Sequence, residues 1–334
     1  MQWTFRPYRE GDIAAISRLT EAIDAHDRPD SARSESEIRA RFEEPGADPT
    51  RQVVVVEGPF EGVPAGELVG AGALGVMGDP EQGMDYFMAV WPHPAARAHG
   101  LEEVLYRRVF ALAREHYDRL PDKPARTPFV YGQSRDTWTE VVELFKSLGM
   151  ELERVFWTME RDLSQPIEEP RKVEGITIRL YSRPEDNSGA TAAYNDSFQD
   201  HWDHHDETVE MWTHHIAAPS RRPDLSWVGE VDGEPGKFGG FCLVVIHPEE
   251  NERSGRNEGW IELLGTTREW RGKGLGKALL LHGLRSLRDD GIDTALLGVD
   301  STSPTGANRL YESAGFTVRR RSVIYRIPVT SEMA

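Results

Sequence analysis

Cysteine is almost missing from this chain: Cys242 is the only one in 334 residues. One thiol cannot build a disulfide framework or a cysteine-rich zinc site. No apolar run approaches the roughly 18 residues that a membrane helix needs, so no span is expected. The opening MQWTFRPYREGD turns polar within a few residues, so no hydrophobic signal segment is expected either. These absences fit a cytoplasmic protein with no metal site. Positive charge is also in deficit, with 39 Lys and Arg against 56 Asp and Glu and a formal net charge of −17. Such a surface opposes a nucleic-acid backbone as a partner and draws in small cations such as amines.

Apolar material is not lacking. Hydrophobic residues are 38% of the chain, and 31 glycines bring the total to an ordinary globular share. At about 150 residues per domain, the length points to two domains. The sequence also restarts halfway. Trp3-Thr-Phe-Arg-Pro-Tyr-Arg opens one half and Ile176-Thr-Ile-Arg-Leu-Tyr-Ser the other, each a short alternating strand before a polar helix. LFKSLGM (144–150) closes the first half as LYESAGF (310–316) closes the second. Between those ends come matching strands, then helices expected over 102–117 and 276–288. Prolines and charges at 164–175 replace any apolar periodicity. The expected organisation is a domain over 1–163, a linker over 164–175, a second domain over 176–328 and a tail over 329–334. It amounts to an internal duplication of roughly 165 residues, each copy α/β.

The most informative stretch is IELLGTTREWRGKGLGKALLLHGL, 261–284. A strand runs into a glycine-rich turn, and the turn opens an amphipathic helix. Free amides at a helix start, together with the helix dipole, favour an anion there. Gly272, Gly274 and Gly276 carry no side chains that would keep phosphate oxygens from the backbone. From Arg268 to Arg288 there are six basic residues against one acidic, Glu269. The spacing fits neither the nucleotide-triphosphate loop nor the GxGxxG dinucleotide fingerprint. It does fit Arg/Gln-x-x-Gly-x-Gly/Ala, with Arg271, Gly274 and Gly276 at the fixed positions.

That pattern, with the strand before it and LYESAGF after it, resembles the GNAT-type N-acetyltransferase superfamily. The two-copy layout is similar to that of its mycothiol synthase-like tandem members. The resemblance implies two tandem GNAT-like domains, α/β (α+β), each a mixed and largely antiparallel sheet flanked by helices. It implies acetyl-CoA as co-substrate, with its pantetheine arm between two splayed central strands, bonded to the backbone of Leu264, Gly265 and Thr266. The diphosphate would rest on Arg271, Gly272, Lys273, Gly274, Leu275, Gly276 and Lys277, with Ser303 standing where the family often has Asn. An alkylamine acceptor is unprotonated in only about one molecule in a few thousand at neutral pH, so a base is useful. Glu262 is the candidate base, its side chain expected on the face shared by Leu264 and Thr266. Tyr311 is the candidate proton donor to the leaving thiolate.

Aligning 93–105 on the motif sets Arg97 against Arg271, Gly100 against Gly274 and Glu102 against Gly276, while Phe145 takes the place of Tyr311. A carboxylate at the phosphate position and a ring without a hydroxyl imply a degenerate first copy, leaving the acyl-CoA site to the second. Residues 192–216 hold five of the 11 histidines. On a helix His201 and His205 would share a face, but no third metal ligand is evident; His201 and Trp202 are instead candidates for the acceptor pocket. The expected activity is acetyl transfer to a primary amine of a small molecule or peptide, in a ternary complex, by a monomer or homodimer. A non-catalytic acyl-CoA-binding sensor or structural protein is the alternative.

Overall fold

The computed structural model describes residues 3–27, 34–44, 46–81, 83–182, 184–201, 205–303 and 306–333. The chain forms two compact units, one of Met1–Arg154 with Ser322–Ala334 and the other of Val155–Arg321. The prolines and charges at 164–175 form an irregular segment inside the second unit.

In the first unit the chain runs β1 (Thr4–Pro7), α1 (Ile13–Asp27), β2 (Val53–Glu57), β3 (Gly70–Asp79), β4 (Gly83–Pro92), α2 (Leu101–Arg119), β5 (Phe129–Arg135) and α3 (Thr139–Ser147). The strand β6 (Glu151–Asp162) begins here and passes into the second unit. There it is followed by β7 (Ile176–Leu180), α4 (Asn187–Phe198), α5 (Val209–Ile216), β8 (Trp227–Val231) and β9 (Phe238–Ile246). The order continues with β10 (Glu258–Thr266), α6 (Leu275–Asp289), β11 (Thr294–Asp300), α7 (Ala307–Ser313) and β12 (Thr317–Pro328).

Sheet order is β1-β2-β3-β4-β5-β12 in the first unit and β6-β11-β10-β9-β8-β7 in the second. The closing strands are therefore exchanged in sequence. Residues of β6 pair with β11, and β12 pairs with β5. All pairings but β4 with β5 and β10 with β11 are antiparallel. A parallel pair needs a crossover, and α2 and α6 supply one each.

Every residue of β9 is buried, as a strand covered on both faces requires. On one face Cys242, Val244, Ile261 and Leu264 pack under the α6 stripe of Leu280, Leu284 and Leu287. On the other, Phe241, Leu243 and Leu263 pack under Ala190, Ala193 and Trp212 of α4 and α5. Gly283 allows the close fit of α6, since a Cβ there would sit 2.7 Å from Cys242 Sγ.

An ion-pair clasp repeats in both units. Arg6 binds Asp12 through both terminal nitrogens at 2.7 and 2.8 Å and also Glu57 at 2.5 Å. Arg179 holds Asp186 at 2.8 Å twice and Glu230 at 2.9 Å. Arg6 and Arg179 are the arginines of the two matching opening strands. Each clasp ties the opening strand to the turn after it and to the strand beside it. Removing one partner from so enclosed a pair costs about 3–5 kcal/mol. We therefore expect Arg6→Met to be destabilised by about that much in urea titration at neutral pH. The Arg6 hydrogen bonds hold the Asp12 carboxyl below its usual range despite partial burial. A lowered carboxylate contributes stability above its unfolded value, about pH 4, and loses it as pH falls through the folded value. The gap between Arg6→Met and wild type should thus shrink below about pH 4; an undiminished gap there would exclude charge pairing as its source.

Candidate functional site

β10 and β11 start as neighbours and then part. Glu258, Gly259 and Trp260 pair with Thr294, Ala295 and Leu296, and pairing between the strands ends there. From Ile261 to Thr266, β10 stays bonded only to β9 on its other side. Its register on β9 slips at Glu262, with Ile261 opposite Val244 and Leu263 opposite Leu243. Glu262 is the extra residue of a β-bulge. The counterpart β4 pairs β3 through ten consecutive positions without such a break.

The bulge corrects the expected alternation. Ile261 and Leu264, three residues apart, both enter the α6-side core. Leu263 faces α4 and α5, and Glu262 meets Arg221, which in turn touches His215 of α5. Glu262 thus does not share the face of Leu264 and Thr266. Its side chain remains partly exposed.

Gly265 is buried, and a Cβ there would lie 2.6 Å from the Phe241 ring and 3.2 Å from Ser197. Only glycine fits. Leu264 spends its side chain on the core, leaving its backbone as the available part.

Beyond β10, Gly272 (φ +73°) and Gly274 (φ +85°) take the left-handed conformation, with nothing within 4 Å of where a Cβ would stand. Gly274 precedes α6 and no side chain caps that helix start. Its first amides therefore have no partner within the helix. Leu275 is fully buried and anchors the first turn. A Cβ on Gly276 would come 3.0 Å from Thr266 Oγ1. The loop and helix start present backbone without side chains at Gly272, Gly274 and Gly276.

The cations of this segment have partners that sequence spacing did not show. Arg271 reaches Asp200 at 2.7 Å, the Ser197 carbonyl at 2.8 Å and the Thr266 carbonyl at 3.4 Å. Its side chain thus fastens the loop to the ends of α4 and β10. Arg268 also binds Asp200 at 3.0 Å, and the two arginines hold that carboxyl below its usual range. Lys277 bonds Glu168 at 2.6 Å, Arg285 pairs with Glu169 at 2.5 Å, and Lys273 lies over the Trp270 ring. Glu168 and Glu169 come from the irregular 164–175 segment, whose acidity carried no visible link to the loop.

Tyr311 lies on α7 among the α6-side core residues, with its ring edge against Phe316. No hydrogen bond from a described residue occupies its hydroxyl. Burial, then Cys242, pushes the phenol well above its ordinary value, so it stays protonated. Cys242 is itself buried and pushed up to about 12, which suits a packing residue and not a nucleophile. Ser303 donates its N–H to the Asp300 carbonyl at 3.1 Å. Nearby Asn308 donates to the Ser301 carbonyl at 2.9 Å and tethers α7 to the end of β11.

His201 follows the end of α4 and lies against the Phe198 ring, not on a helix, so His201 and His205 share no helical face. Trp202 lies outside the described residues. Among the described residues no group of three or more His, Cys, Asp and Glu could hold a metal ion. No helix among them is long and apolar enough to cross a membrane.

The first unit carries the same loop geometry with a different filling. Gly100 (φ +81°) precedes α2 as Gly274 precedes α6, and Arg97 pairs with Asp27 at 2.5 Å as Arg271 does with Asp200. Glu102 occupies the first turn of α2, where burial raises its carboxyl and Arg97 opposes the rise. Phe145 is fully buried between Tyr106 and Tyr325, and its ring lies 3.0 Å from where a Cβ of Gly132 would be.

Comparison with known proteins agrees with this geometry. The sequence profile of the Acetyltransferase (GNAT) family matches residues 188–316. A mycothiol acetyltransferase of Salinispora arenicola is 30% identical over 322 residues, covering 92% of this chain and 95% of that protein. The mycothiol acetyltransferase of Thermobispora bispora is 33% identical over 183 residues, 55% of this chain and 60% of its own length. Among solved structures, a GCN5-related N-acetyltransferase from Sphaerobacter thermophilus superposes with a TM-score of 0.73 at 25% identity, covering 99% of this chain and 97% of that one. A tandem GNAT protein from the clavulanic acid biosynthesis pathway shares the fold, with a TM-score of 0.70 at 15% identity over 99% and 100% of the two chains.

Proposed function

The chain belongs to the GNAT family of acetyltransferases, and from that premise we propose that its second unit moves an acetyl group from acetyl-CoA to a primary amine in a ternary complex. The observation that carries this reading is the parting of β10 from β11 beside an uncapped helix start. A strand edge with free backbone groups and helix-start amides with no partner within the helix are what a long thioester with a diphosphate requires. Amides of residues 272–277 hold the diphosphate, and backbone groups of Leu264, Gly265 and Thr266 hold the arm. Arg271 serves by fixing the loop, and Lys273 and Lys277 add positive charge beside it. Ser303 borders the end of β11, from which it reaches the same donor. Bound acetyl-CoA supplies the reactive acyl group.

Glu262 accepts the proton that the amine sheds as nitrogen bonds the acyl carbon. Tyr311 donates its hydroxyl proton to the departing sulfur, a task suited to a phenol that burial keeps protonated. The Gly265 amide is assigned the polarising of the acyl carbonyl. Of the two acceptor candidates, His201, which follows α4, lines the acceptor end. The first unit, with Glu102 in its helix start and Phe145 filling its core, supports the site without binding the donor. We place the protein in the cytoplasm.

Calorimetry with coenzyme A, followed by thiol release across an amine panel, tests the reading. The panel includes the amine that the mycothiol acetyltransferases of Salinispora and Thermobispora acetylate. Expected are one coenzyme A per chain and amine-dependent release. Binding without release from any amine would favour a sensor, and no binding would end the proposal.

A further inference from the structure

Glu262 is held from behind by a chain of charged groups, two of which, Glu207 and His215, lie in the histidine-rich 192–216 stretch. Arg221 Nη1 forms an ion pair with Glu262 Oε2. Arg221 Nη2 meets Nε2 of His215 on α5, and Nδ1 of that ring lies 3.6 Å from Glu207. Asn195 of α4 fixes the Glu207 backbone in turn, accepting from its N–H and donating to its carbonyl at 2.9 Å each. The Arg221 backbone is bridged to Val245 of β9, and the next residue, Arg222, donates its N–H to the Val244 carbonyl. The arginine side chain is 9% exposed and that of Glu262 36%. The guanidinium is thus the enclosed, anchored member and the carboxylate the member that meets solvent.

We infer that Arg221 is the positioning residue of the transfer site: it pins the Glu262 carboxylate and leaves one of its oxygens to take the proton of the acceptor amine. This rests on the reading of Glu262 as the base. A bulged residue lacks the ladder partner that would fix its backbone, and a glutamate side chain adds three free torsions. A planar guanidinium removes that freedom better than an ammonium can, because its nitrogens are fixed relative to one another. His215 and Glu207 hold the guanidinium from its far side. A base displaced by about 1 Å can lose about a hundredfold in rate, which sets the scale of what the pin is worth.

Steady-state kinetics on Arg221→Lys, Glu262→Gln and the double variant test the inference. Arg221→Lys should lower kcat about tenfold to a hundredfold with the KM for acetyl-CoA unchanged. Glu262→Gln should lower kcat about a hundredfold or more. The double variant should fall within about twofold of Glu262→Gln alone, because Arg221 acts only through that carboxylate. Equal loss from Arg221→Lys in both backgrounds, or no loss in the wild-type background, overturns the inference. Wild-type turnover by Glu262→Gln overturns the base reading itself, a separate outcome. Should Arg221→Lys fold poorly, His215→Gln disturbs the pin from one step further back. Its smaller loss in kcat should likewise vanish in the Glu262→Gln background, and its persistence there counts against Arg221.

Discussion

Gly276→Glu should weaken coenzyme A binding at least about a hundredfold, roughly 2.7 kcal/mol, while the protein stays folded. The variant copies into α6 what Glu102 already supplies to the start of α2. A Cβ at Gly276 comes 3.0 Å from Thr266 Oγ1, which shifts slightly to admit it. The carboxylate beyond that Cβ then competes for the amides proposed to hold the diphosphate. Stability should move the other way. Glycine inside a helix costs about 1 kcal/mol relative to a good helix former, and an acid in the first turn suits the dipole. A thermal midpoint held or raised beside lost affinity would separate this account from simple unfolding. Retained affinity would remove the diphosphate from the helix start.

Tyr311→Phe should lower kcat about a hundredfold and leave the calorimetric affinity for coenzyme A unchanged. The substitution keeps the ring in its place beside Phe316 and deletes only the hydroxyl, which no described residue hydrogen-bonds. The pH profile supplies a second check. A phenol serves as donor below its folded pKa, and burial raises that value above the ordinary one near 10. Wild-type kcat should therefore show no decline from tyrosine ionisation at or below about pH 10. Full activity in Tyr311→Phe would send the donor role elsewhere.

The glycine loop was legible because everything that defines it is local. Arg271, Gly274 and Gly276 fall within six residues, and the left-handed turn at Gly274 follows from the residue itself. The helices expected over 102–117 and 276–288 are present as Leu101–Arg119 and Leu275–Asp289 for the same reason, since their apolar stripes repeat at helical spacing. The orientation of Glu262 was not legible. WIELLG does not state its own register, and a bulge depends on how β9 and β10 pair. Charge partners were hidden by distance along the chain. Asp200 meets Arg271 across 71 residues, Glu168 meets Lys277 across 109, and Arg221 meets Glu262 across 41. None of these pairs leaves a periodic mark. The prolines and charges at 164–175 gave no sign of which sheet each closing strand would join.

That exchange of closing strands bears on how the protein is made. β5 of the first unit is sealed only by Ser322–Pro328 of β12, which reach Arg135–Phe129 across almost two hundred positions. At about 5–20 residues per second, a ribosome that has finished Arg154 works for roughly ten to thirty seconds more before that segment exists. Throughout the delay the edge of β5 lies open, and the nascent amino-terminal half is most exposed to chaperones and to stray pairing. Folding of the leading half is thereby timed by the arrival of residues 322–328.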